Sequence, residues 1–157
     1  MMPTNLKPTD VCAVLTTVDP VAQAAGANTT VWVPVQNFHA FLAALQTGVL
    51  GASATVDLKL QQATDNAGAN AKDISGKAIT QIVKATGDNK QALINCRAQD
   101  LDTNNGFGWV GMVLTVGTAT SIVSAVLYGF APRFAPPVDA AAPIAINLGA
   151  TTVVQIV

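Results

Sequence analysis

The most regular stretch of the chain is Thr55 to Gln61, where Val56, Leu58 and Leu60 alternate with Thr55, Asp57 and Lys59. A period of two places apolar side chains on one face of an extended segment and polar ones on the other, so a strand with one dry and one wet face is expected. Gln91 to Arg97 repeats the pattern, with Ala92, Ile94 and Cys96 alternating with Gln91, Leu93, Asn95 and Arg97. Turn chemistry punctuates these runs at Asn66-Ala67-Gly68, Ser75-Gly76, Gly87-Asp88-Asn89 and Asn105-Gly106, and a short apolar pattern runs from Ile79 to Val83.

Phe38 to Gln46 reads in two ways. Phe38, Phe41, Leu42 and Leu45 have helical spacing, and Gly48 suits the residue that follows a helix end. Its place between β-patterned runs favours a strand equally, because tertiary context overrides local propensity. Trp109 to Phe130 holds no charged residue and is long enough to cross a bilayer as a helix. Gly117 and Thr118-Ala119-Thr120 interrupt it, its flanks are β-branched, and no Lys/Arg cluster adjoins it, so a hairpin of two buried strands is expected instead.

The organisation that follows is an N-terminal lead over 1–27, packed on the body or a neighbour, a β-sandwich body over 28–133, and an extended C-terminal arm over 134–157. The arm is rich in Pro and Ala, and prolines remove donors and bias their neighbours toward extended backbone. The expected fold class is mostly β, a single β-sandwich of jelly-roll type with an immunoglobulin-like arrangement as the alternative.

Composition adds one constraint. The 157 residues suit one domain, yet half are hydrophobic and only 11% are charged. Mean hydropathy is +0.42, high for a protein whose whole surface meets water, so part of that surface is expected to be covered. All nine acidic residues are Asp, and the formal net charge is −1. Such a chain has no broad positive field for phosphates, which argues against nucleic acid as a partner. Cys12 and Cys96 are expected as packed thiols rather than a disulfide, Cys96 on an inward strand face. Met1 to Asp10 carries Lys7 but no apolar run, so it does not read as a secretion signal, and assembly in the cytoplasm is expected.

Candidate chemistry is sparse. His39 is the one histidine, flanked by Phe38 and Phe41, and no spacing nominates a partner for acid–base work. Asp100, Asp102 and Asn104 alternate oxygen ligands as in a calcium loop, but the terminal bidentate Glu is missing and a solvated turn is expected. Gly106, Gly108 and Gly111 fit dinucleotide-motif spacing, whereas Val110 to Val116 reads as a strand where that motif needs a helix. No catalytic residue, metal or cofactor is expected.

From Gly48 to Pro136 five runs follow one another: GVLGASATVDLKLQQATD, DISGKAITQI, KQALINCRAQDLD, the uncharged segment after Gly108, and GFAPRFAP. In this order they resemble a group of small virion proteins encoded in the structural modules of tailed bacteriophages. The resemblance implies a β-sandwich that decorates or cements a capsid, or a tail or head-to-tail structural subunit, and it carries no catalytic residues. The partners expected for such a role are the major capsid protein and copies of the chain itself, a trimer around a symmetry axis being one arrangement, with no membrane, and the virion is the expected location. Met1 to Thr30 and the stretch after Pro137 lie outside it.

Partner-binding candidates are Arg133, Phe134 and the run Thr151, Thr152, Val153, Val154, Gln155, Ile156 and Val157. That run is uncharged and β-branched, suited to adding a strand at a neighbour's sheet edge. Arg133 reads either as a salt-bridge donor to a neighbour or as a solvent-facing charge. Two rivals come from other classes. A carbohydrate-binding sandwich needs an aromatic platform, for which Trp32, Trp109, Tyr128 and five Phe are few; a membrane-active protein would be built on the uncharged segment.

Overall fold

The computed structural model describes residues 7–133 and, as backbone only, 138–139 and 142–145. Eight principal strands make two antiparallel sheets: β1 (Cys12–Gln23), β2 (Gly26–Thr29), β4 (Phe38–Thr47), β5 (Thr55–Ala63), β6 (Lys72–Ala78), β8 (Gln91–Arg97), β9 (Trp109–Gly117) and β10 (Ser121–Pro132). Two-residue strands β3 (Val33–Pro34) and β7 (Ile82–Val83) extend one sheet, and β11 (Val138–Asp139) pairs with β12 (Ala142–Ala145). The four-stranded sheet runs β1-β10-β4-β8, and the six-stranded sheet runs β2-β9-β5-β6 with β3 on β9 and β7 on β5.

That order decides the topology. Counted among the eight principal strands, the first pairs with the eighth, the second with the seventh, the third with the sixth and the fourth with the fifth. This is a long antiparallel ribbon folded once at β5–β6 and rolled so that its strands alternate between two sheets, which is a jelly roll and not an immunoglobulin sandwich. β5–β6 is accordingly the one link between successive principal strands that stays within a sheet.

The strand expected at Thr55 forms, and its alternation is the burial alternation: Val56, Leu58 and Leu60 are buried while Thr55, Asp57 and Lys59 face outward. Phe38–Thr47 is a strand. Phe41, Ala43 and Leu45 point inward, and Leu42 and Ala44 point out. Ladder pairing to β10 on one side and β8 on the other satisfies its backbone, which outweighs the helical spacing of its large residues. Gly48 ends no helix; its N–H donates to Ile122 O at 2.8 Å, and a Cβ there would lie 2.9 Å from Ile122 Cγ2.

The uncharged segment does form two strands, but they are not a hairpin. β9 belongs to the six-stranded sheet and β10 to the four-stranded one, so Thr118-Ala119-Thr120 carries the chain across the sandwich. Thr118 takes φ +69° and Ala119 N–H donates to Gly117 O at 2.8 Å, while β9 pairs with β5 and β2 and β10 with β1 and β4, so the two strands do not pair with each other. Among the described residues no helix is long and apolar enough to cross a membrane.

Residues 12–23 and 26–27, expected within an N-terminal lead, are strand residues, so the sandwich begins at Cys12 rather than Asn28. Register shifts between Val14 and Thr16 and between Val18 and Val21 break the alternation that would have revealed β1. The core lies between the sheets, with Leu15, Phe38, Phe41, Leu45, Leu58, Leu60, Met112, Leu114 and Leu127 all less than 2% exposed. Burying each such side chain contributes about 1.5–3 kcal/mol. Phe38 and Phe41 meet edge to face with centroids 6.4 Å apart, and Gly129 leaves the space the Phe38 ring occupies.

Candidate assembly interface

Strand register fixes which side chains share the outside of the four-stranded sheet. Inward residues of β10 are Val123, Ala125, Leu127 and Gly129, so Val126, Tyr128 and Phe130 face out. Three cross-strand rows result: Cys12, Phe130, Ala40 and Arg97; Val14, Tyr128, Leu42 and Asn95; Thr17, Val126, Ala44 and Leu93. Arg97 is the one charged residue in them. Leu93 is 62% exposed, and Ile122, beyond the rows, is 48% exposed. The Tyr128 and Phe130 rings lie side by side at 6.4 Å. A depression of about 650 Å³ spans β10, β4 and β8, lined in part by Ala40, Leu42, Phe130, Asn95 and Arg97 and bordered by the ion-paired Lys77 and Asp100.

The outside of the six-stranded sheet is different. Asp57, Lys59 and Gln61 face out from β5 and are tied laterally: Lys59 Nζ lies 2.8 Å from Asp73 Oδ1, Gln61 Nε2 donates to Asp73 Oδ1 at 2.7 Å, and Gln81 Nε2 donates to Asp57 Oδ2 at 2.8 Å. The Lys59 ammonium and Gln61 amide hold the Asp73 carboxyl below the ordinary carboxylate range. Trp32 packs over Gly111 and Gly68, where any Cβ would collide with its ring, so this indole fills a site on the protein rather than standing free as a platform. Phe107 is buried beneath Lys72, whose Nζ sits 3.9 Å from the ring centroid.

Sheet edges differ as sharply as sheet faces. β1 carries two register shifts and Asp19-Pro20; β2 and β3 are short, and β3 ends in Pro34; β6 carries Lys72, Asp73 and Lys77, with Gly76 at φ +71°. Each of these is a device that discourages strand addition. β8 has seven residues with no proline, no register shift and a single charge at its end. Lys90 O accepts from Thr47 N–H of β4, so the alternate residues Gln91, Leu93, Asn95 and Arg97 direct N–H and C=O to the open edge. Arg97 N–H is capped by Asp100 Oδ2 at 2.9 Å. Leu93 and Asn95 have no backbone partner on that side among the described residues.

The sequence candidates distribute as follows. Arg133 follows β10, is exposed, and its backbone N–H donates to Asn37 O at 3.0 Å; it has no ion-pair partner among the described residues. Phe134 and Thr151 to Val157 lie outside the described residues. Asp100 and Asp102 anchor a loop: Lys77 pairs with Asp100 at 2.8 Å and Lys72 with Asp102 at 2.7 Å, and each lysine holds its carboxyl below the usual range. Buried Gln62 accepts Asp102 N–H at 2.7 Å. Among the described residues no group of three or more His, Cys or Asp side chains is arranged to hold a metal.

Cys12 and Cys96 are free thiols on the two outermost strands of one sheet, about 14 Å apart laterally and beyond disulfide reach. Burial, with Asp100 adding to it, pushes the Cys96 thiol up to about 11. His39 is exposed on β4. Leu42, Leu93, Val126, Tyr128 and Phe130, which form the outer apolar face, were not among the sequence candidates. Their signal was present: Leu93 is the apolar residue in the polar phase of its strand, and β10 is apolar in both phases.

The chain matches no protein-family model and no curated protein. Among solved structures it is similar to a chain of Broad Bean Stain Virus, at 9% identity and a TM-score of 0.43, covering 88% of this chain and 99% of that one. It is also similar to chains of Cowpea Mosaic Virus, in an empty virus-like particle (12% identity, TM-score 0.37, 88% and 92% covered) and in the naturally occurring empty top component (12% identity, TM-score 0.34, 85% and 93% covered). Likenesses this distant decide neither fold nor function; strand order decides the fold.

Proposed function

We propose that this protein is a structural subunit of a virus particle, a decoration or cement protein that binds the outside of a tailed-phage capsid and bridges neighbouring subunits. The observation that carries the reading is the nearly charge-free outer face of the four-stranded sheet, bounded by an unguarded β8 edge. Soluble monomers keep contiguous apolar patches small and blunt their sheet edges, whereas subunits of assemblies do neither. The order of the five sequence runs supports the phage assignment by resemblance.

A subunit of this kind acts by mass action. Binding only the assembled shell, it stabilises that state in proportion to its occupancy, and contacts to several neighbours multiply the effect through avidity. The partners are the major capsid protein, through the apolar face, and further copies of the chain around a symmetry axis. Arg133, exposed and without an ion-pair partner in its own chain among the described residues, supplies a charge for an acidic neighbour.

Gentle dissociation of purified particles, followed by quantitative mass spectrometry of this chain against the major capsid protein, tests the reading. A fixed ratio near one is expected. Absence of the chain from particles, or a variable trace amount, would overturn it.

A further inference from the structure

We infer that the open edge of β8 is the docking site for the C-terminal segment Thr151–Val157 of a neighbouring copy, which adds to the four-stranded sheet as a fifth strand beyond β8. The inference rests on the shell-subunit reading and names the contact between copies. Three observations carry it.

First, the edge is a matched receptor. The N–H and C=O groups of Leu93 and Asn95 point away from β4 with no backbone partner among the described residues, while the edges at β1, β2, β3 and β6 are blocked by bulges, proline, short length or charge. Second, the ligand is of the same kind. Thr151 to Val157 carries no charge and no proline, is β-branched at six of seven positions, and has the length of β8. Along Gln91 to Asn95 an uncharged strand meets an uncharged edge and desolvates no ion, the charge of Arg97 and its Asp100 cap lying at the strand end, and backbone hydrogen bonds supply the affinity.

Third, the chain leaves the sandwich in the right place. Phe130 pairs with Ala40 and Ala40 with Arg97, so β10 delivers the chain to Arg133 at the end of the sheet where β8 also terminates. Residues 134–137 and 146–157, on either side of the β11–β12 pair, can span at most about 50 Å in extended form, enough to reach an adjacent subunit. An alternating strand laid there presents one set, either Thr152, Val154 and Ile156 or Thr151, Val153, Gln155 and Val157, beside exposed Leu93 and continues the apolar face into the neighbour.

The test places a photo-crosslinking amino acid at Val154 of the full chain, in a mixture of ¹⁵N-labelled and unlabelled protein, and maps adducts by mass spectrometry. Mixed-label adducts on residues 91–97 are expected, and Leu93→Lys in the acceptor should reduce their yield about tenfold or more. Lys59→Ala, on the opposite sheet, should leave the yield unchanged and controls for fold. Adducts confined to one copy, adducts on any other strand, or no adduct at all would overturn the inference. The particle ratio is read independently: a chain present in particles whose crosslinks map elsewhere sinks the docking site alone, whereas a chain missing from particles sinks the shell reading.

Discussion

The two sheets share one interior and present opposite exteriors. Across the six-stranded sheet, Asp57, Lys59, Gln61 and Asp73 are laced to one another and to Gln81, as suits a face in water. Across the four-stranded sheet, Val14, Leu42, Val126, Tyr128 and Phe130 face outward with no charge among them. Both faces rest on strands of the same roll, so neither topology nor core packing requires the difference. On the proposed shell-subunit reading, the difference reflects what each face meets: solvent on one side, other subunits on the other.

The largest effect is expected where the comparison itself would collapse. Leu58→Ala removes a fully buried side chain from the layer that both sheets share and should cost about 2–5 kcal/mol, read as a lowered urea midpoint. Both exteriors are then lost together. Leu93→Lys should act on one exterior only: association weakened about tenfold or more by sedimentation velocity, with the urea midpoint of the monomer altered by no more than about 0.5 kcal/mol equivalent. A stability loss in place of an association loss would make Leu93 a packing residue and erase the asymmetry.

Acid should weaken the polar side first. Asp73, Asp100 and Asp102 have folded-state pKa values depressed by Lys59, Lys77 and Lys72, and Asp88 has its own depressed by Lys84 and the Leu50 N–H. A depressed carboxyl binds its proton less readily when folded than when unfolded, so its contribution is complete above the unfolded pKa, about 4, and is lost as pH falls through the lower folded values. Urea midpoints should therefore be flat in this respect from neutrality to about pH 5 and decline below about pH 4. Asp100, which lines the depression on the four-stranded sheet and caps the Arg97 N–H at the β8 edge, is one of these carboxyls, so association should be flat from neutrality to about pH 5 and weaken only as that carboxyl takes up its proton. The smallest effect belongs to Lys59→Leu. It breaks an exposed ion pair worth about 0–1 kcal/mol and makes the wet face drier, and it should leave particle occupancy as it was.

How much of this was legible in the sequence follows from where alternation is clean. Thr55 to Gln61 and Gln91 to Arg97 announce themselves because each strand has one dry and one mostly wet face. Phe38–Thr47 and Ser121–Pro132 do not, because alanines and apolar residues fill both phases, and the same feature that blurs their reading creates the outer apolar face. β1 was hidden by its bulges. The link at Thr118-Ala119-Thr120 looked like a hairpin because short spacing reports that two strands are close in sequence, not that they share a sheet. Arg133 was reachable as a lone charge beside an uncharged strand, whereas Leu93 asked for the register of β8 against β4 before its exposure had meaning.

Hydroxyl-radical footprinting of the chain free and in purified particles tests the central contrast most directly. Leu42, Leu93, Tyr128 and Phe130 should lose reactivity in particles while Lys59 and Gln61 keep theirs. Protection of the β5 exterior with the four-stranded face still reactive would contradict the account.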